Sequence, residues 1–195
     1  MTRSIPSINQ CLQFIEEHEM LANIRQHSFM VARVAKTLVQ GLVRSCATPP
    51  DLHEVVAGAL LHDIAKTQCL RNNGHHAREG QLICETLGYP HLGEIVLEHV
   101  VLKNFNEKLY LQGIFCAKEL VYYADKRVRH DEVVSLDERL AYIIERYGDG
   151  SAEKETLIRH NFDATLNLEQ LLFHHLDFTP DLLSQNLADD FQTDC

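Results

Sequence analysis

The sequence predicts an all-α protein, a helical bundle with a C-terminal helical extension. Apolar residues recur three or four positions apart through most of the chain, the spacing of one helix face. No stretch of alternating apolar and polar residues stands out as a half-buried strand would. Gly and Pro, which break helices, are sparse at 9 and 5 in 195 residues. A chain of this length suits one sizeable domain with an appendage.

Residues 6–19 read as an opening helix, with Pro6 in its first turn and Ile8, Leu12 and Ile15 on one side. A longer helix over 21–44 carries the stripe Ile24, His27, Val31, Val34, Leu38 and Leu42, so that a histidine lies within an apolar face. Thr48-Pro49-Pro50-Asp51 breaks the chain, and Asp51 is placed to cap the next helix. That helix brings Leu52, Val55, Val56, Ala59 and Leu60 into His62-Asp63. Gln68 to Gly74 is expected to be a polar loop ending in the turn signal Asn-Asn-Gly.

The next helix opens at His75-His76, and the helical period separates the two. From His76 the series runs through Gly80, Ile83, Cys84 and Leu87, small or apolar; from His75 it runs through Glu79, Leu82 and Thr86, mostly polar. His76 is therefore expected inward and His75 toward solvent or a pocket rim. Gly80 suits either space for a ligand or close helix packing. Gly88-Tyr89-Pro90 stops this helix, and another over 91–102 carries Leu92, Ile95, Val96 and His99 inward. Residues 103–111 read as a loop long enough to overhang a site. A helix over 112–126 presents Ile114, Ala117, Val121 and Tyr122 on the face that ends in Asp125. Lys126 and Arg127 offer that acid a surface salt bridge as the plain alternative.

Ser135 caps a helix to Tyr147, with Leu136, Leu140, Ile143 and Ile144 apolar and Asp137, Glu138 and Arg139 as its solvated first turn. Gly148-Asp149-Gly150-Ser151 marks the boundary between a domain over 1–148 and an extension over 149–195. The extension holds a helix near 152–176, a short one started by Thr179-Pro180-Asp181, and a tail with Asp189, Asp190 and Asp194. His160, His174 and His175 have no carboxylates to match them and read as structural or exposed.

A formal net charge of −10 argues against a nucleic-acid partner or an anionic membrane surface, since both want a basic face. A small anionic substrate remains compatible, because a metal ion reverses the field inside a pocket. No apolar stretch approaches the length needed to span a bilayer, and the first residues lack the apolar core of a signal peptide. The cytoplasm is the default compartment. Cysteines 11, 46, 69, 84, 116 and 195 form no Cys-x-x-Cys pair, so neither a zinc knuckle nor a redox motif is indicated.

The compositional outlier is histidine, with 12 copies. His27, His62-Asp63, His76, His99 and Asp125 all lie on apolar faces, from five different helices. One such residue is ordinarily a core histidine bonded to a carbonyl. Six buried imidazoles and carboxylates in one bundle are costly unless something compensates them, and a metal centre between facing helices does so. These nitrogen and carboxylate donors suit iron, manganese, zinc, cobalt or nickel, with magnesium also admissible. The set contains no thiolate, which argues against a Cys-rich structural zinc site.

The order His…His-Asp…His…His…Asp resembles the HD superfamily of metal-dependent phosphohydrolases. The likeness runs from about residue 6 to 147 through the opening Ile-Pro-Ser and the segments HSFMVARVA, GALLHDIAK, HHAREG and LVYYADKRV. The resemblance implies that His27, His62, Asp63 and Asp125 hold a first divalent ion. His76 and His99 match the subgroups with a binuclear centre, in which Asp63 bridges both ions. Lys66 matches the family lysine that binds phosphate, so Asp63 and Lys66 are the expected catalytic pair. Ala65 stands where many relatives have glycine. The implied activity is hydrolysis of a small phosphorylated substrate, a phosphate ester or nucleotide, by metal-activated water. The alternatives are a di-iron oxygenase built on the same six ligands and, less favoured because all six are present, a non-catalytic ligand-sensing domain. Specificity is expected from the segments 67–75 and 103–111.

Overall fold

The computed structural model describes residues 4–45 and 48–192, and helices carry nearly all of their regular structure. Ser7 starts α1 (Ile8–Glu17) with a reciprocal cap: its hydroxyl accepts the Gln10 N–H, while the Gln10 side chain accepts the Ser7 N–H. α2 (Ala22–Arg44) buries its whole stripe, His27 included. Asp51 caps α3 (Leu52–Leu61), which is buried at every position from Val55 to Leu61. Such a helix has no solvent face and must lie inside the bundle. It packs on α2 along one side.

Where a polar loop was expected, the chain forms α4 (Lys66–Asn72). The segment is too short to show a period, and tertiary bonds hold it: Thr67 is buried, and its hydroxyl accepts the Leu21 N–H at 3.0 Å. The Asn-Asn-Gly signal marks its end, with Asn73 in the left-handed region at φ 55°. α5 (His76–Thr86) and α6 (Pro90–Glu98) pack face to face. A Cβ on Gly80 would lie 2.6 Å from Val96 Cγ1, so this glycine serves helix packing and not ligand space. α6 ends four residues before the expected 102. The carbonyls just past its end bond partners elsewhere, His99 O accepting from Lys126 Nζ at 2.8 Å and Val100 O from Asn161 Nδ2 at 2.9 Å.

The segment 103–111 contains α7 (Glu107–Leu111), capped by Asn106 and anchored by the buried Tyr110. α8 begins later than expected, at Ala117–Lys126, and a two-stranded hairpin of β1 (Val128–Arg129) and β2 (Glu132–Val133) follows it. Strands of two residues are too short to show alternation. α9 (Leu136–Tyr147) starts at the Ser135 cap and α10 (Ala152–Phe173) at Ser151, and a 3₁₀ turn spans Pro180–Leu182. α2 packs on α3 and α8, α3 on α6 and α8, and α6 on α8. These four helices enclose the core and carry most of the candidate ligands. No helix among the described residues is long and apolar enough to cross a membrane.

The C-terminal segment is tied to the bundle by polar bonds. Arg127, which the plain alternative offered Asp125 as a surface salt bridge, is buried; it donates to Glu169 at 2.9 Å, to Val134 O at 2.8 Å and to Pro180 O at 3.0 Å. Further on, Arg33 donates to Ala188 O, Phe29 stacks on Phe191, and Lys36 pairs with Asp190. Asp194, Cys46 and Cys195 lie outside the described residues; Cys11, Cys69 and Cys84 are buried and Cys116 is exposed. Arg127→Ala leaves the largely buried Glu169 with the Tyr123 hydroxyl but without its ion-pair partner, which costs about 3 kcal/mol. A lower urea midpoint at unchanged slope is the expected result.

Candidate metal centre

Three of the imidazoles are oriented by the backbone around them. His62 and His99 stand at the C-terminal ends of α3 and α6, where helical carbonyls have no helical partner. His62 Nδ1 lies 2.7 Å from Ala59 O, and His99 Nδ1 lies 2.6 Å from Val96 O. His27 Nδ1 lies 2.9 Å from His130 O, which the hairpin turn presents with His130 at φ 57°. A carbonyl only accepts, so each Nδ1 carries a proton, and each Nε2 faces inward with a lone pair wherever the ring is neutral. The rings form a row: the centroid of His62 lies 5.4 Å from His27 and 5.0 Å from His99, which lies 5.1 Å from His76.

What those lone pairs face is acceptors. His27 Nε2 is 3.0 Å from Asp125 Oδ1, and His62 Nε2 is 3.4 Å from Asp63 Oδ2 and 3.8 Å from Asp125 Oδ1. His76 Nε2 and His99 Nε2 are 3.2 Å apart, each 3.6 Å from Asp63 Oδ1. His62 Nε2 and Asp63 Oδ1 are buried without a hydrogen-bond partner. Lone pairs set against carboxylate oxygens repel unless a proton or a metal ion joins them. Bonds of about 2.0–2.2 Å to one ion put neighbouring donor atoms about 3.0–3.6 Å apart, a range that holds each of these separations except the 3.8 Å between His62 Nε2 and Asp125 Oδ1. The donors thus fit divalent metal.

The cluster resolves into two trios, His27, His62 and Asp63, and Asp63, His76 and His99, with the donor atoms of each trio within 4.8 Å of one another. Asp63 belongs to both. Asp125 lies on the His27 side. The structure therefore brings together all six residues singled out in the sequence. His75 is left outside, exposed at the N-cap of α5. His160 and His174 are exposed, and His175 bonds Tyr110 O at 2.9 Å.

The family model for the HD domain matches residues 24–177, a span that holds the whole cluster. The chain belongs to the HD-domain family. Searches of curated proteins and of solved structures find no match. HD domains are generally metal-dependent phosphohydrolases, and the buried His/Asp cluster of this one could hold metal.

The charges of this HD cluster are set by burial against close partners. Burial raises the Asp63 carboxyl, but Lys66 and His62 outweigh it and hold the group well below the usual carboxylate range. Asp125 behaves likewise, burial being overcome by Lys126, His27 and Arg139. Burial lowers His27 and His99, and pushes His76 down to about 4. His62 goes the other way, because Asp63 and Asp125 overcome its burial. Lys66 Nζ sits 2.7 Å from Asp63 Oδ2 with 28% of its side chain exposed.

Two cations of the HD site lie deeper than local sequence pattern places them. Lys126, which the plain alternative put in a surface salt bridge with Asp125, does donate to Asp125 Oδ2 at 2.9 Å, but the pair is buried. Arg139, expected in a solvated first turn, is buried, with Nη2 3.4 Å from Asp125 Oδ1. A signal for Arg139 was available: it shares the phase of Leu136 and Ile143, three before and four after.

Proposed function

We propose that this HD protein is a metal-dependent phosphohydrolase that cleaves a phosphate ester or nucleotide. The observation that carries the reading is the Asp63 carboxylate, common to both trios of donors and paired with Lys66. His27, His62, Asp63 and Asp125 would hold one ion, and Asp63, His76 and His99 a second. Bound divalent ions would polarise a phosphoryl oxygen and make water nucleophilic near neutral pH. The protein's own contribution is preorganisation. Carbonyls hold the imidazoles with Nε2 inward, burial keeps His27, His76 and His99 neutral and ready to ligate, and Lys66 brings positive charge to the phosphoryl group.

Elemental analysis of protein purified without chelator, followed by phosphate release from a panel of phosphomonoesters and nucleotides, tests the reading. About two ions per chain, iron or manganese leading, with phosphate released, is the expected result. Oxygen uptake by iron-loaded protein without phosphate release would instead favour the oxygenase. Chelation should also destabilise the fold, because the ligands come from separate helices. Metal at a hundredfold excess over its dissociation constant contributes about 2.7 kcal/mol, so its removal lowers Tm by roughly 5–10 °C. An unchanged melting curve would show that the cluster binds no metal.

A further inference from the structure

Arg139 is the least satisfied cation of the cluster. Its side chain is 8% exposed, yet among the described residues its side-chain hydrogen bond, Nη2 to Asp125 Oδ1 at 3.4 Å, lies at the long limit, and its Nε is buried without a partner. The Tyr142 ring, 5.5 Å from the guanidinium carbon, supplies no acceptor. A buried guanidinium is normally spent on several acceptors, since leaving its donors unmade is expensive. Lys126 differs: it donates to both Asp125 Oδ2 and His99 O.

The charge balance points the same way. Two carboxylates, Asp63 and Asp125, face three side-chain cations, Lys66, Lys126 and Arg139, before any metal is added. Arg139 reaches the same oxygen, Asp125 Oδ1, that lies against His27 and His62. A guanidinium held so close to bound divalent cations is repelled by them unless a multiply charged anion sits among them. Lys66 stands on the Asp63 side of the cluster and Arg139 on the Asp125 side.

We propose that Arg139 is a second phosphate-binding residue, whose unpartnered donors take oxygens of a doubly charged phosphate opposite Lys66. The assignment rests on the metal-centre reading above. It adds Arg139 to the substrate contacts and favours a terminal phosphate, with two negative charges, over a diester with one.

Calorimetric titration of manganese, and then of inorganic phosphate into the manganese-loaded protein, tests it in wild type, R139Q and R139K. R139Q should keep its manganese affinity and bind phosphate about ten- to a hundredfold more weakly. R139K should recover part of the loss, because it restores charge without the planar fork. Dimethyl phosphate, with one charge, should distinguish wild type from R139Q far less. A manganese affinity that falls as much as the phosphate affinity would make Arg139 a positioning residue for Asp125 and overturn the proposal. Unchanged phosphate binding would overturn it too. Failure of the underlying reading is seen separately, as wild-type protein that takes up no manganese. Should R139Q not fold, the wild type still decides. In zinc-loaded protein the Arg139 Nε–H resonance, found through its contact with the Tyr142 ring, must shift saturably with phosphate, and an unmoved resonance would refute the assignment.

Discussion

Replacing Asp63 by Asn is expected to empty the centre, taking metal content from about two ions per chain to near zero and phosphate release down more than about a thousandfold. The change keeps the shape of the side chain and removes its charge, so packing is preserved in a place 1% exposed. It acts on both trios at once because Asp63 is their common member. By contrast, His99→Ala removes a donor from one trio and should lose about half the metal. A D63N protein that retained its full complement would refute the shared-ligand assignment. The metal-free proteins should differ as well. Burial opposes ionisation of Asp63, but Lys66 and His62 prevail and hold its carboxyl well below the usual range. A group depressed in the folded state contributes stability at neutral pH and loses it as pH falls through the folded value. Chelated D63N should therefore melt below chelated wild type at neutral pH, and the gap should close in acid.

Much of the site was legible because its histidines stand on apolar faces, where a polar residue breaks an otherwise simple pattern. His27 falls in phase with Ile24 and Val31, and His99 with Ile95 and Val96. The choice between His75 and His76 followed from phase too, since only the series from His76 stays small and apolar. Charged residues behave differently. A lone arginine or lysine is read as solvent-facing because it is almost never buried unpaired. What draws Arg139 and Lys126 inside is the Asp125 carboxylate, and for Arg139 that partner lies on another helix. Arg127 was hidden in the same way, its partner Glu169 being 42 residues on. Local pattern does not name a distant partner.

The remaining misreadings also trace to tertiary bonds. α4 holds its place through its own Thr67 hydroxyl, which accepts the Leu21 N–H from 46 residues back, and α6 stops where Lys126 and Asn161 claim the carbonyls just past its end. Both bonds join segments far apart in sequence, so composition alone suggested a loop in one place and a longer helix in the other. Both departures border the cluster. Lys66 opens α4, and the early end of α6 frees His99 O for the same lysine that bonds Asp125.

Lys66→Met is the second large effect, and it separates chemistry from metal binding. Methionine keeps most of the stem and removes the charge, so metal content should stay near that of wild type while kcat falls about a hundred- to a thousandfold. Burial disfavours the charged ammonium, yet Asp63 overcomes it and raises the Lys66 pKa, so the group stays cationic throughout the neutral range. Without metal its charge is spent on Asp63 Oδ2 at 2.7 Å. Metal bound to that carboxylate would share its charge and weaken its hold on Lys66, freeing the ammonium for a phosphoryl group in which negative charge is building. Such a contact strengthens toward the transition state, which is why the loss should appear in kcat more than in KM. A K66M protein that lost metal in step with activity would show instead that Lys66 serves to hold Asp63 in place. The 28% of the Lys66 side chain that remains open to solvent argues against that outcome, since a residue that only braced Asp63 would have no need of access from outside.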